Sequence, residues 1–189
     1  MLRRSCIPGA DGYHPALMDL FAAIQARQSV RAYQAKAVEP EQLEAVLAAA
    51  NQSPSAGNLQ AYQIYIVRRL KTRRALAKAC TNHLFMAQAP VVLIFCADPA
   101  RAAKYGKLGE EFFCVQDATI AVAYAQLAAT AVGLATCWIG AFDEPQVIRL
   151  AGLRAGHRVI ALLTLGYAAE TPPRTPRRSL SDLVTETGK

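Results

Sequence analysis

Only 19% of the 189 residues are charged, and several familiar signatures are missing. No C-x-x-C pair or zinc-finger spacing occurs, so neither a paired-cysteine motif nor a finger-type zinc site is expected. No G-x-G-x-x-G turn links a strand to a helix, and there is no P-loop. A cofactor would therefore not be held in a Rossmann or Walker manner. His14, His83 and His157 share no metal-binding spacing and read as surface or packing residues. No Pro/Ser linker, internal repeat or low-complexity tract divides the chain, so its length reads as one compact domain. The low charge, set beside 53% hydrophobic residues, excludes disorder away from the ends and supplies ample core.

Cysteines stand at 6, 80, 96, 114 and 137. The odd count argues against a disulfide framework and suggests a reducing cytoplasm. Cys96, inside VVLIFCA, reads as a small buried thiol. Residues 1–16 are basic but lack a continuous apolar core, so they read as a leader and not a secretory signal. Ala118 to Leu134 carries no charged residue, yet it is rich in Ala and Thr with Gln126 at its middle. That composition suits a helix buried in the core or at a subunit interface better than a membrane span.

The net charge of +7 brings nucleic acid into consideration. The basic residues are dispersed, however, with the densest groups at Arg68, Arg69, Lys71, Arg73, Arg74 and at Arg174, Arg177, Arg178. No aromatic RNA-binding signature accompanies them. A modest positive balance also suits a protein that binds phosphate-bearing small molecules.

Leu17, Leu20, Phe21 and Ile24 recur near 3.6 residues and predict a first helix that ends at ARQSVRAY. A second starts near Pro40, with Leu43, Val46 and Leu47 on one face, and stops before Pro54. QIYIV predicts a strand, and a basic helix follows over roughly 70–80. Val91 to Cys96 reads as a central strand covered on both faces. A long Ala-rich helix covers about 112–132, TCWIG is extended, and a helix follows near 144–150. VIALLTLG reads as another buried strand, and the chain from about 172 to 189 as an arm. The class is mixed α and β.

Four stretches could carry chemistry. In Arg27-Gln28-Ser29-Val30-Arg31, two forked, permanently charged guanidinium groups could converge on one anion if the backbone bends there. Alone, a solvated helix end explains them better. Pro54-Ser55-Ala56-Gly57-Asn58 and Gln60 form either a tight connection or a loop gripping a planar ligand, and alone the plain connection is the commoner case. The third stretch is GLATCWIGAF at 133–142, and the fourth is TPRRSL with Arg177 and Arg178.

Their order is more specific than any one of them. R-x-S-V-R-x-Y, then S-P-S-A-G-N-x-Q, then G-L-x-T-C-W-I-G-A-F, then L-G-Y and a Pro-Arg-Arg arm resembles the nitroreductase family of flavin enzymes, from about Leu17 to Val184. The resemblance implies an α+β, three-layer α/β/α fold, with a mixed, mainly antiparallel central sheet flanked by helices. It implies a homodimer whose two sites each bind FMN noncovalently with residues of both subunits, the arm reaching the partner. Carried over by position, Arg27, Ser29 and Arg31 would hold phosphate, ribityl chain and pyrimidine edge. Pro54, Ser55 and Asn58 match the partner-subunit loop, and Asn82 the pyrimidine contact. Gly140 and Ala141 match the backbone facing N5 and O4, and Arg177, with Arg178 as runner-up, the terminal phosphate clamp.

The resemblance further implies ping-pong oxidation of NAD(P)H with reduction of nitroaromatic or quinone-type acceptors. No protein nucleophile or base is required, because the flavin carries the hydride. Ala61-Tyr62 replaces the frequent Pro-Trp after the Gln, and the longer insertion over the substrate pocket is lacking. Both departures touch substrate choice. Reductive dehalogenation, flavin fragmentation and a flavin-binding module without turnover are the alternatives.

Overall fold

The apolar run at residues 91–97 takes the centre of a sheet, and the rest of the chain is laid around it. The computed structural model describes residues 18–188. The expected leader at 1–16 lies outside them. In chain order the elements are α1 (Leu20–Ala26), α2 (Pro40–Asn51), β1 (Tyr62–Val67), α3 (Leu70–Ala79) and β2 (Val91–Ala97). They continue with α4 (Pro99–Ala102), α5 (Gly106–Leu108), α6 (Cys114–Ala131), β3 (Ala135–Ile139), α7 (Glu144–Ala151), β4 (Arg158–Gly166) and α8 (Leu180–Leu183).

The four strands run in the order β1-β2-β4-β3, every neighbouring pair antiparallel. All seven residues of β2 are buried, because helices cover both faces of the sheet. Side chains alternate across a strand. Leu93 and Phe95 accordingly pack with Val46 of α2 and Val122 of α6, while Val92, Ile94 and Cys96 pack with Leu76 of α3 and Val147 of α7. This is the expected three-layer α+β arrangement.

The Ala-rich segment is a core helix. Its Ala118, Ala121, Val122, Ala125 and Ala129 are fully buried, small side chains that let α2 and the sheet approach closely. A π-helical turn at Gly109–Phe113 precedes it, which the hydrophobic pattern did not announce. Helix α1 departs from the ordinary rule in another way. Its periodic apolar residues Leu20, Phe21 and Ile24 are exposed, Phe21 to 74%, and Ala23 alone is buried. Residues 173–188 are exposed and lack regular structure apart from the short α8, whose Leu180 and Leu183 also face outward.

Candidate functional site: an arginine cleft and a clamped loop

Helix α1 is capped by Asp19, whose carboxylate accepts the N–H groups of Phe21 and Ala22, and it ends at Ala26. Arg27 has φ −59° and ψ 123°, so the chain leaves the helix extended. Ser29 then pairs with Thr136 of β3 in a parallel bridge, and Val30 N–H donates to the Thr136 carbonyl at 2.9 Å. Four residues on, Tyr33 pairs antiparallel with Ala168, just beyond β4. The bend that two converging arginines need is therefore built by pairing with the sheet end. The arm that follows β4 passes the same place. Arg27, Ser29, Arg31, Arg174 and Arg177 line one cleft of about 460 Å³.

Four of the sequence-predicted residues, Arg27, Ser29, Arg31 and Arg177, are thus brought together from segments about 150 residues apart. Arg178 is not among the lining residues: its guanidinium donates to the Asp182 carbonyl in the next helix. Arg174 lines the cleft although only its basic neighbourhood marked it. Among the described residues the one ion pair within 4 Å joins His157 to Asp98, so the cleft arginines are not neutralised from within.

Buried polar groups anchor the segment that carries Ser29 and Arg31. The Tyr33 hydroxyl donates to the Val30 carbonyl at 2.8 Å and lies 2.6 Å from Thr164 Oγ1, which accepts the Cys137 N–H at 3.0 Å. Burial pushes the Tyr33 phenol well above its ordinary range, so it stays a neutral donor. Burial also raises the Cys137 thiol, with the Arg31 charge opposing that shift. Glu170 accepts the Arg31 N–H and so ties the arm's root to the arginine segment. Glu170 carried no signal beyond being the acid that follows LGYAA.

The 54–60 loop is shaped by a second device. Its short 3₁₀ turn at Ala56–Asn58 puts Gly57 and Asn58 at φ +56°, and Gln60 at +48°. Ser55 Oγ accepts the Gln60 N–H at 3.0 Å. Asp117, 2% exposed on α6, accepts the Ala56 N–H at 2.9 Å with one oxygen and the Ala61 N–H at 3.2 Å with the other. Sequence reasoning missed Asp117, although a lone acid at the edge of an uncharged helical run is a usable signal. A Cβ on Gly57 would stand 2.2 Å from the Tyr105 hydroxyl oxygen.

Pro54, Ser55 and Asn58 line no part of the arginine cleft of their own chain. Gly140 and Ala141 are exposed directly after β3, and Asn82 is exposed in a turn at φ +60°. The Asp143 N–H donates to the Ala79 carbonyl at 2.8 Å, which ties the 140–142 stretch to the turn carrying Asn82.

The sequence model of the nitroreductase family matches residues 24–85 and 81–167. The chain belongs to that family. A Thermus thermophilus protein named NADH dehydrogenase is 29% identical over 196 residues, covering 89% of this chain and 96% of its own. A Bacillus subtilis FMN reductase (NAD(P)H) is 27% identical over 174 residues, covering 84% of this chain and 70% of its own. Among solved structures, the NADPH:FMN oxidoreductase from Vibrio harveyi complexed with NAD+ superimposes with a TM-score of 0.82 at 26% identity. That match covers 90% of this chain and 77% of the other.

Proposed function

We propose that this nitroreductase-family chain is an FMN-dependent NAD(P)H oxidoreductase of the cytoplasm that reduces quinone or nitroaromatic acceptors. The observation that carries the reading is the single cleft formed by Arg27, Ser29, Arg31 and Arg177. Its chemistry fits FMN. Unpaired guanidinium groups fork onto phosphate oxygens, and a serine hydroxyl is at hand for a polyol chain. FMN, when bound, supplies the hydride chemistry. This chain's residues supply placement: Arg27, Arg174 and Arg177 for the phosphate, Ser29 for the ribityl chain, and Arg31 for the pyrimidine edge. Asn82, Gly140 and Ala141 stand on neighbouring segments tied through Ala79 and Asp143, as a ring-contacting wall requires.

The site is completed by a second copy of the chain. The 54–58 loop is shaped and clamped yet stands outside its own chain's arginine cleft, so its ligand contact is with the partner's. Exposed Leu20 and Phe21 on α1, with Leu180 and Val184 on the arm, give that partner an apolar surface to cover. Donor and acceptor then use one open pocket alternately, and flat, electron-poor acceptors are selected by stacking.

The experiment is direct. Purified protein is denatured, its flavin chromatographed, and NAD(P)H oxidation followed with menadione and nitrofurazone at several concentrations. FMN in the supernatant and parallel double-reciprocal plots support the reading. FAD or no flavin after reconstitution, or acceptors that reoxidise the enzyme no faster than dissolved oxygen, contradict it.

A further inference from the structure

Between Glu44 and Asp98 the chain has no acidic residue, yet it carries Arg68, Arg69, Lys71, Arg73, Arg74 and Lys78. These residues stand at the end of β1 and along α3, away from the arginine cleft described above. Arg68 and Arg69 precede the first turn of α3, where a cation opposes the helix dipole, and no acidic residue or capping side chain offsets them. Local stability does not explain cations placed there, and none of them forms an ion pair among the described residues.

A cavity lies between them. Arg68, Arg69 and Thr72 form one wall, Arg149 of α7 another, and Ile66 and Leu150 give it apolar surface, around a solvent-open depression of about 420 Å³. That is the size range of small-molecule sites, most of which combine apolar lining with a few polar groups. No acidic side chain lines it. The lip is also built. Arg73 turns inward, donates through Nε to the Arg68 carbonyl at 3.1 Å, and binds the carbonyls of Ala87 and Ala89 through Nη1. One arginine is thus used to hold the backbone from which another projects.

We propose that this pocket binds a phosphorylated organic anion of nucleotide size. The arginines would take the phosphate oxygens, and Ile66 and Leu150 the apolar or planar portion. It shares no residue with the arginine cleft. The length of α3, about 15 Å at 1.5 Å per residue, separates it from the Ala79–Asp143 contact at the other end of that helix. A ligand here would therefore be additional to the flavin.

The test is calorimetric titration of flavin-loaded protein with ADP and, separately, inorganic pyrophosphate. Wild type is compared with Arg68→Ser/Arg149→Ser and with Arg74→Ser/Lys78→Ser, which removes the same charge outside the pocket. Saturable binding of ADP that the pocket variant weakens tenfold or more, and the control variant less than threefold, is the expected result. Equal weakening in both variants would reduce the pocket to a general basic field, and absence of saturable binding by either probe would overturn it outright. Retained flavin absorbance in the variants shows that fold and cofactor cleft are intact. The comparison between variants reads the same way in flavin-free protein, so failure of the cofactor reading and failure of this one are separable.

Discussion

The Asp117 carboxylate receives the Ala56 N–H at 2.9 Å, and its second oxygen holds the Ala61 N–H at 3.2 Å. One buried side chain of α6 thereby clamps the loop on both sides of its Gly57–Gln60 turn. Charge-assisted hydrogen bonds of this kind are worth roughly 1.5–3 kcal/mol each. We predict that Asp117→Ala lowers stability by at least about that amount and slows NAD(P)H oxidation, with Asp117→Asn intermediate because one acceptor survives. Urea denaturation and steady-state assays check this. An alanine variant with wild-type stability and turnover would show that the loop holds its shape without the clamp.

Gly57 makes a separate prediction. A side chain there meets the Tyr105 hydroxyl and also sits at φ +56°, a backbone region that costs an L-residue about 1–2 kcal/mol. Gly57→Ala is expected to destabilise by more than that, and adding Tyr105→Phe should recover the steric part while leaving the backbone part. If the single variant is neutral, the loop is free to relax and is less constrained than its geometry indicates.

Much of this was legible in the sequence, and the exceptions have physical reasons. β2 and β4 were readable because helices cover both faces, which writes an unbroken apolar run. The arginine cleft was readable from motif order, but not the bend at Arg27, which depends on pairing between Val30 and Thr136 far along the chain. Asp117 and Glu170 escaped because each acts on a backbone N–H of a distant segment, and neither donor leaves a trace in residue identity. The stripe of α1 looks like core in sequence because apolar periodicity alone does not tell a buried face from the exposed one found here.

Shared sites predict complementation. Arg27→Ala/Arg177→Ala lacks a working cleft, and Asp117→Ala lacks a working loop. A hybrid dimer of the two has one site with both defects and one with neither. Mixing the two impaired variants under subunit-exchange conditions should therefore raise activity above the average of the two alone. No recovery, with exchange verified by tagged subunits, would contradict a site built from two chains.

Alkaline pH should weaken the fold through its thiols. Burial pushes Cys80 and Cys96 up to about 12, against an ordinary 9.0 in the unfolded chain. Between those values the folded state binds more protons than the unfolded one, so stability is full below pH 9.0 and falls as pH rises toward 12. The raised Tyr33 phenol acts in the same direction above 10.0. Thermal midpoints measured from about pH 8 to 11 should fall less steeply in Cys80→Ala/Cys96→Ala than in wild type. Identical slopes would remove the thiols as the cause.

The cleft of Arg27, Ser29, Arg31 and Arg177 is central, and its role as a phosphate grip is tested most directly by comparing FMN with riboflavin, which differs by the phosphate alone. Affinities for both are measured by fluorescence quenching in wild type and in Arg27→Ala/Arg177→Ala. Wild type should prefer FMN by about tenfold or more, the equivalent of one charge-assisted contact, and the variant should bind the two flavins alike. A variant that keeps the full preference for FMN would contradict the assignment of these arginines to the phosphate.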